Sequence, residues 1–168
     1  MNTQNKTLLF VDMDNVLVDF GSGLAKVPAE ERAKYEKREQ NKNGYFEVTD
    51  SEYDCIPGIF SLMEPVLGAI ESISKLNEKY DIYILSTSPW KNPSAWSDKL
   101  IWVQKYFGDV FYKRLILSHH KDLCYREGAY LIDDRTKNGA DAFGNHLIQF
   151  GTEMFPDWNS VVEFLMGK

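Results

Sequence analysis

The chain has 168 residues, of which 43% are hydrophobic, 26% charged and 14% aromatic. This length and composition predict a single soluble globular domain, with room for a small insertion. The formal net charge of −6 argues against binding of polymeric nucleic acid, which requires a basic face, and no apolar run reaches the roughly 20 residues that span a membrane.

The residues before the first predicted strand carry no signal-peptide pattern, so we expect a cytoplasmic protein. Cys55 and Cys124 are far apart and lie in no metal-ligand spacing, which indicates reduced, incidental thiols. The three histidines, His119, His120 and His146, likewise form no ligand set. A homodimer is compatible with these features, but they do not define the oligomeric state.

The first predicted strand is the apolar run of residues 7–11, which is followed by Asp12 and Asp14. Its unbroken hydrophobicity is typical of a strand buried on both faces. Two carboxylates one residue apart repel each other unless a cation or a shared proton relieves them. The pair is therefore either an ordinary acidic turn or a reactive centre: a seat for a hard divalent metal, or a nucleophile paired with an acid/base.

Residues 22–60 lack a regular alternation of strands and helices. Gly21-Ser22-Gly23 predicts a flexible hinge, and the charged stretch 24–42 predicts a solvated helix that ends at Asn41-Lys42-Asn43-Gly44. We therefore expect a small helical cap over residues 22–60, inserted after the first strand. Residues 1–21 and 61–168 then form the core.

From Pro65 onward, helices and strands alternate. Strands are predicted over 81–85, 114–117, 129–132 and 146–150, and helices over about 66–79, over 94–107 and around Trp158 to Leu165. This order predicts a Rossmann-like α/β fold, in which a parallel sheet of about five strands carries helices on both faces.

Chemically reactive side chains follow four of the predicted strands. The carboxyl ends of parallel strands share one edge of a sheet, so these side chains should meet there. Each has an ordinary explanation by itself, as a helix cap, a solvated amine or a turn, but together they supply what phosphoryl transfer requires. The groups are Asp12 with Asp14, Thr87 with Ser88, Lys121, and Asp133 with Asp134.

The order of these groups resembles the four motifs of the haloacid dehalogenase (HAD) superfamily of phosphatases. Within that superfamily the chain is most similar to the 5'(3')-deoxyribonucleotidases, over residues 8 to about 150. This closer resemblance rests on Asp12-Met13-Asp14 continuing to Asp19-Phe20, on Thr87-Ser88-Pro89, on Lys99 followed by residues 102–108, and on residues 131–135, whereas Asn138 belongs to the superfamily resemblance.

The resemblance implies a Mg2+-dependent phosphomonoesterase. Asp12 would attack phosphorus and form an aspartyl-phosphate, while Asp14 would protonate the leaving oxygen and then activate water. Mg2+ would be held by Asp12, the backbone carbonyl of Asp14, and Asp133. Asp134 and Asn138 would orient these ligands without binding the metal themselves.

The resemblance also implies the residues that bind the substrate. The phosphate would be bound by Thr87, Ser88, Lys121 and Lys99. The base or sugar would be contacted by Phe20, by Arg135 and by an aromatic residue of the cap, Phe46 or Tyr53.

Three positions depart from the family pattern. Asn15 stands where the family commonly has glycine, which suggests a slightly different loop with unchanged chemistry. His119-His120 precede Lys121 in place of an Arg-Asp pair, and Trp90-Lys91 follow the Thr87 motif. These changes bear on the choice of substrate more than on the reaction.

The predicted substrate is a deoxyribonucleoside monophosphate, and the alternative is another small phosphomonoester such as a sugar phosphate or phosphoamino acid. A receiver-type signalling domain also places an acidic pair, a phosphoacceptor Asp, a Thr and a Lys at strand ends. Here, however, a second acidic pair follows Lys121 and a cap interrupts the first connection. Both features disfavour the non-enzymatic receiver.

Overall fold

A computed structural model describes residues 6–168. Its strands are β1 (Thr7–Val11), β2 (Val18–Asp19), β3 (Glu36–Gln40), β4 (Phe46–Ser51), β5 (Glu64–Pro65), β6 (Tyr80–Ser86), β7 (Leu115–Leu117), β8 (Tyr130–Asp133) and β9 (Leu147–Gln149). Its α-helices are α1 (Phe20–Leu24), α2 (Ala29–Arg32), α3 (Ala69–Asn77), α4 (Ser94–Phe107) and α5 (Trp158–Met166). Short 3-10 helices join several of these elements.

The central sheet has five parallel strands in the order β7-β6-β1-β8-β9. The chain moves outward from β1 through β6 to β7, and then returns to the other side of β1 for β8 and β9. The strand order therefore reverses at β1, and in open α/β sheets a ligand crevice forms beyond the carboxyl ends at such a point. The predicted Rossmann-like α/β fold is confirmed.

Apolar side chains cover both faces of this sheet. Leu9, Val11 and Ile84 are fully buried in a large core that also holds α3 and α5. Phe10 and Leu131 point to a smaller apolar cluster on the opposite face. The continuous hydrophobicity of the strands thus reflects burial on two sides.

The predicted helix over residues 24–42 is wrong for most of its length. Only α2 and a 3-10 turn at Ala33–Tyr35 are helical, and the chain then forms β3, which pairs antiparallel with β4. Residues 41–44 make the turn of this hairpin: the Asn41 side chain accepts from the backbone N–H groups of Asn43 and Tyr45, and Gly44 has φ +83°. Pairing with β4 outweighs the helical preference of the charged residues.

The predicted hinge at Gly21-Ser22-Gly23 is also wrong, because these residues lie within α1. The side chain of Asp19 accepts from the backbone N–H of Ser22 and caps this helix. A Cβ atom at Gly23 would lie 2.6 Å from Cγ of Met63. The glycine permits close packing here and does not provide flexibility.

The helix expected from about residue 66 begins at Ala69, since Pro65 belongs to a two-residue strand that pairs with β2. The helix predicted over residues 94–107 has these bounds in the structure. Cys55 and Cys124 are free thiols, as expected. Within residues 6–168, none of the helices combines the length and apolarity that crossing a membrane would demand.

Candidate active site

A tight turn after β1 positions Asp12 and Asp14. The backbone N–H of Asp12 continues the sheet by donating to the carbonyl of Ile132 in β8, at 2.8 Å. The backbone N–H groups of Val16, Leu17 and Val18 then all donate to the carbonyl of Met13. Trp158 Nε1 donates to the carbonyl of Val16 at 2.9 Å and fixes the turn to α5. The two carboxylates therefore project from a rigid loop.

Lys121 connects the loop after β1 with the end of β8. Its Nζ lies 3.0 Å from Oδ1 of Asp12 and also donates to Oδ2 of Asp133. All three side chains are buried. Burial alone would lower the pKa of Lys121, but the carboxylates of Asp12 and Asp133 outweigh it, so the pKa is raised and the amine stays charged.

Three carboxylates form an acidic cluster at this edge of the sheet: Asp12, Asp133 and Asp134 each offer one oxygen, and these oxygens all lie within 4.8 Å of one another. Burial, followed by the charge of Asp12, raises the pKa of Asp133 to about 6. Oδ1 of Asp134 is buried and has no hydrogen-bond partner within residues 6–168. Carboxylate oxygens that lie close together and are not all hydrogen-bonded fit Mg2+, which prefers hard oxygen ligands.

Asp14 is paired with a different cation. Lys99, which is fully buried in α4, donates to Oδ2 of Asp14 at 2.9 Å, to Oγ of Ser86 at 3.0 Å and to the carbonyl of Thr87 at 2.8 Å. Burial raises the pKa of Asp14 more than the Lys99 charge lowers it. The two predicted catalytic carboxylates thus lie in separate environments, each beside its own lysine.

The residues after β6 approach the same edge. Thr87 Oγ1 donates to the carbonyl of Ser118 at 2.8 Å and accepts from Nδ2 of Asn138 at 3.3 Å. The backbone carbonyl of Asn138 accepts from the N–H of Lys121 at 2.7 Å. Ser88 is buried and its hydroxyl has no hydrogen-bond partner among the described residues. The structure therefore brings Thr87, Asn138 and Lys121 together.

A cavity of about 300 Å³ opens beside Asp14 and is lined by both the core and the segment 22–60. Of the predicted substrate-binding residues, Phe20, Tyr53 and Arg135 line it, whereas Phe46 is 67% exposed at the start of β4 and does not. The complete lining is Asp14, Asn15, Phe20, Ser51, Tyr53, Asp54 and Arg135.

Sequence reasoning missed Ser51 and Asp54 as lining residues. Ser51 ends β4 and Asp54 lies in the turn that follows. The hairpin of β3 and β4 lies in a mostly charged stretch, so no alternation of apolar and polar residues predicts it. Asn92, buried after β6, donates to the carbonyls of Asp54 and Ile56 at 2.8 and 3.0 Å. These bonds attach this wall of the cavity to the core.

A model of the family "5' nucleotidase, deoxy (Pyrimidine), cytosolic type C protein" matches residues 6–155. A protein of Vibrio phage KVP40 assigned as a 5'(3')-deoxyribonucleotidase is 51% identical over 164 residues, which cover 98% of this chain and 87% of that protein. The human cytosolic 5'(3')-deoxyribonucleotidase is 33% identical over 143 residues, which cover 76% of this chain and 70% of the human one.

Among solved structures, the HAD-hydrolase YfnB of Bacillus subtilis, determined with magnesium bound, superposes with a TM-score of 0.63. The superposition covers 96% of this chain and 99% of YfnB at 14% identity, so it supports the fold alone. The family match extends over most of the chain and agrees with this fold. The chain therefore has a HAD-like fold, belongs to the 5'(3')-deoxyribonucleotidase family and is a phosphoric monoester hydrolase.

Proposed function

We propose that this enzyme hydrolyses deoxyribonucleoside monophosphates in a Mg2+-dependent reaction that passes through an aspartyl-phosphate on Asp12. The observation that carries the proposal is the separation of the two carboxylates: Asp12 lies in the acidic cluster with Lys121, and Asp14 lies outside it with Lys99. This arrangement gives one carboxylate the surroundings of a nucleophile and the other those of an acid/base.

In the first step, a carboxylate oxygen of Asp12 attacks phosphorus while the bond from phosphorus to the nucleoside oxygen breaks. Asp14 donates a proton to that leaving oxygen. Burial raises the pKa of Asp14 and favours its protonated form, which supports this role. Lys99 then stabilises the carboxylate that remains after the transfer.

In the second step, Asp14 accepts a proton from a water molecule that attacks the phosphorus of the aspartyl-phosphate. The bond between phosphorus and the Asp12 oxygen breaks, which releases inorganic phosphate and restores the Asp12 carboxylate. Asp14 is again protonated at the end of the cycle. The positions of Asp12 and Asp14 one residue apart on a rigid turn support both transfers.

Asp12, Asp133 and the carbonyl of Asp14 would hold Mg2+, with Asp134 close by. When bound, the ion would neutralise charge on the phosphoryl oxygens. Lys121 would add positive charge on the same side. The Asp14 side chain contacts Lys99 and does not belong to the acidic cluster, which supports a ligand role for its carbonyl alone.

Thr87 and Ser88, at the end of β6, would bind the remaining phosphate oxygens through a hydroxyl and backbone N–H groups. The nucleoside would enter the cavity beside Asp14, where Phe20 offers an aromatic face and Arg135 a cation. Tyr53 is the cap aromatic that we propose for this contact. Residues 22–60 serve as the cap of the proposed site.

A phosphatase screen with Mg2+ over nucleoside monophosphates, sugar phosphates and phosphoamino acids tests the proposal. We expect the highest kcat/KM for deoxyribonucleoside monophosphates. A clear preference for either of the other two classes would overturn the substrate while leaving the reaction in place.

Phe20→Ala tests how the substrate is recognised. We expect at least about a tenfold loss of kcat/KM for nucleotides, because the stacking surface is removed. Hydrolysis of p-nitrophenyl phosphate, which carries no nucleoside, should change less than twofold to threefold. Equal losses on both substrates would instead assign Phe20 a structural role through its packing on Phe60.

A further inference from the structure

Asn15 adopts a backbone conformation that few residue types tolerate. Its φ is +57°, in the left-handed region where glycine and asparagine are the most comfortable residues. The conformation is imposed by the turn after β1, in which the N–H of Asn15 donates to the carbonyl of Val18 at 2.8 Å. Glycine would also satisfy this backbone, so the contacts of the amide side chain can be considered separately from the turn.

That side chain reaches the loop after β8. Nδ2 of Asn15 donates to Oδ2 of Asp134 at 3.3 Å, across 119 positions of sequence. The other oxygen of Asp134, Oδ1, is buried and accepts no hydrogen bond from the part of the chain that the structure describes, although Nε of Arg135 lies 3.4 Å away. Asp134 also belongs to the acidic cluster with Asp12 and Asp133.

We propose that Asn15 is a positioning residue that orients the Asp134 carboxylate within the acidic cluster. By occupying one oxygen of Asp134, the amide leaves the other available to the cluster and holds the loops after β1 and β8 at a constant separation. The inference rests on the proposed Mg2+ site. It concerns the hydrogen bond that Asn15 of this chain donates to Asp134.

The expected effect is on the affinity for Mg2+. Mutation of a residue that supports the ligands of a metal, as Asp134 would, typically lowers metal affinity by about 10-fold to 100-fold. The bond from Asn15 to Asp134 is long and lies at the surface, so we expect a loss at the lower end, on the order of tenfold. Mg2+ binding, and not turnover, is the readout, because Asn15 also lines the cavity beside Asp14.

Asn15→Gly is the decisive variant, since it keeps the left-handed backbone and removes only the amide. Mg2+ binding is measured by calorimetric titration of the wild type, Asn15→Gly, Asp134→Ala and the double variant. Lys113→Gly is the matched control, because Lys113 also has a positive φ, of 58°, and lies outside the site.

We expect about tenfold weaker Mg2+ binding in Asn15→Gly, unchanged binding in Lys113→Gly, and no further loss when Asn15→Gly is added to Asp134→Ala. Wild-type affinity in Asn15→Gly would overturn the proposal and leave the proposed function intact. Equal losses in both backgrounds would overturn the route through Asp134. Absence of Mg2+ binding in the wild type would overturn the metal site of the proposed function together with this inference.

Discussion

Asp12 and Asp14 are separated by a single residue in the sequence but contact different cations. Asp12 lies against Lys121, which also contacts Asp133, whereas Asp14 contacts Lys99. A lone Asp-x-Asp pair is compatible with an acidic turn. Two buried lysines, each directed at a different carboxylate, are not expected of such a turn, because burying a lysine is costly unless it is paired.

Asp12→Asn should abolish turnover while leaving the fold intact. The amide keeps the shape of the side chain but is a very poor nucleophile, so kcat should fall by at least about a thousandfold. Steady-state kinetics and circular dichroism measure the two effects. Asp109→Asn, an exposed change outside the site, is the control. Substantial turnover by Asp12→Asn would contradict a covalent intermediate.

Lys99→Met should raise the pKa of Asp14 further. Burial already raises this pKa and Lys99 opposes the rise, so removing the ammonium leaves desolvation uncompensated and favours the protonated carboxyl. Carbon-detected NMR titration of the metal-free protein reads the shift directly. Lys105→Met, on the same helix but away from Asp14, should leave it unchanged. A lower Asp14 pKa in Lys99→Met would refute the proposed pairing.

At the scale of elements, the hairpin β3–β4 is where local pattern and observed structure diverge most. Residues 36–40 are charged and favour a helix by propensity, but they form a strand because β4 follows at hairpin distance. The segment after β4 then lines the cavity with Tyr53 and Asp54. The attachment of this segment to the core through Asn92 therefore matters to the site.

Asn92→Ala should weaken both stability and substrate binding. The part-buried bond to the carbonyl of Asp54 and the buried bond to the carbonyl of Ile56 are both lost, which costs about 1–3 kcal/mol of unfolding free energy. KM for the nucleotide should rise severalfold, because the wall that carries Tyr53 loosens. Chemical denaturation and steady-state kinetics test this.

Asn159→Ala, an exposed change in α5, is the matched control for Asn92→Ala and should alter neither quantity. Wild-type stability and KM in Asn92→Ala would show that the cavity wall is held by other contacts.

At the scale of the whole molecule, the parallel sheet gathers residues that are more than a hundred positions apart. Asp12 follows β1 and Asp133 ends β8, and the two strands are neighbours. This proximity has a cost: burial, followed by the charge of Asp12, raises the pKa of Asp133 to about 6. A divalent cation would relieve this repulsion in the folded state.

Mg2+ should therefore stabilise the whole protein. At a concentration about 100 times Kd, a ligand that binds only the folded state adds about 2.7 kcal/mol. For a chain of this size that corresponds to a rise in Tm of roughly 5–10 °C relative to the protein in EDTA. Differential scanning calorimetry measures it. Asp133→Asn should lose the shift, and an identical Tm of the wild type with and without Mg2+ would contradict the metal assignment.

The sequence by itself determined the sheet and the reaction class, and it predicted the catalytic set whose side chains the structure brings to one edge of that sheet. Buried strands appear in the sequence as continuous apolar runs. Asp12, Thr87, Lys121 and Asp133 each stand at or just after the end of such a strand, so a short stretch of sequence is enough to locate each of them. The helix α4 was predicted with its observed bounds for the same reason, since its periodicity lies within the segment.

Only the tertiary structure decided which lysine pairs with which carboxylate, that residues 36–51 form a hairpin, and that Asp54 lines the cavity while Phe46 does not. These features depend on partners that are distant along the chain, so no pattern within one segment records them. Asp12 and Asp14 show the difference. The sequence places both carboxylates after the first strand, and the packing of the folded chain sets Asp12 beside Lys121 and Asp14 beside Lys99.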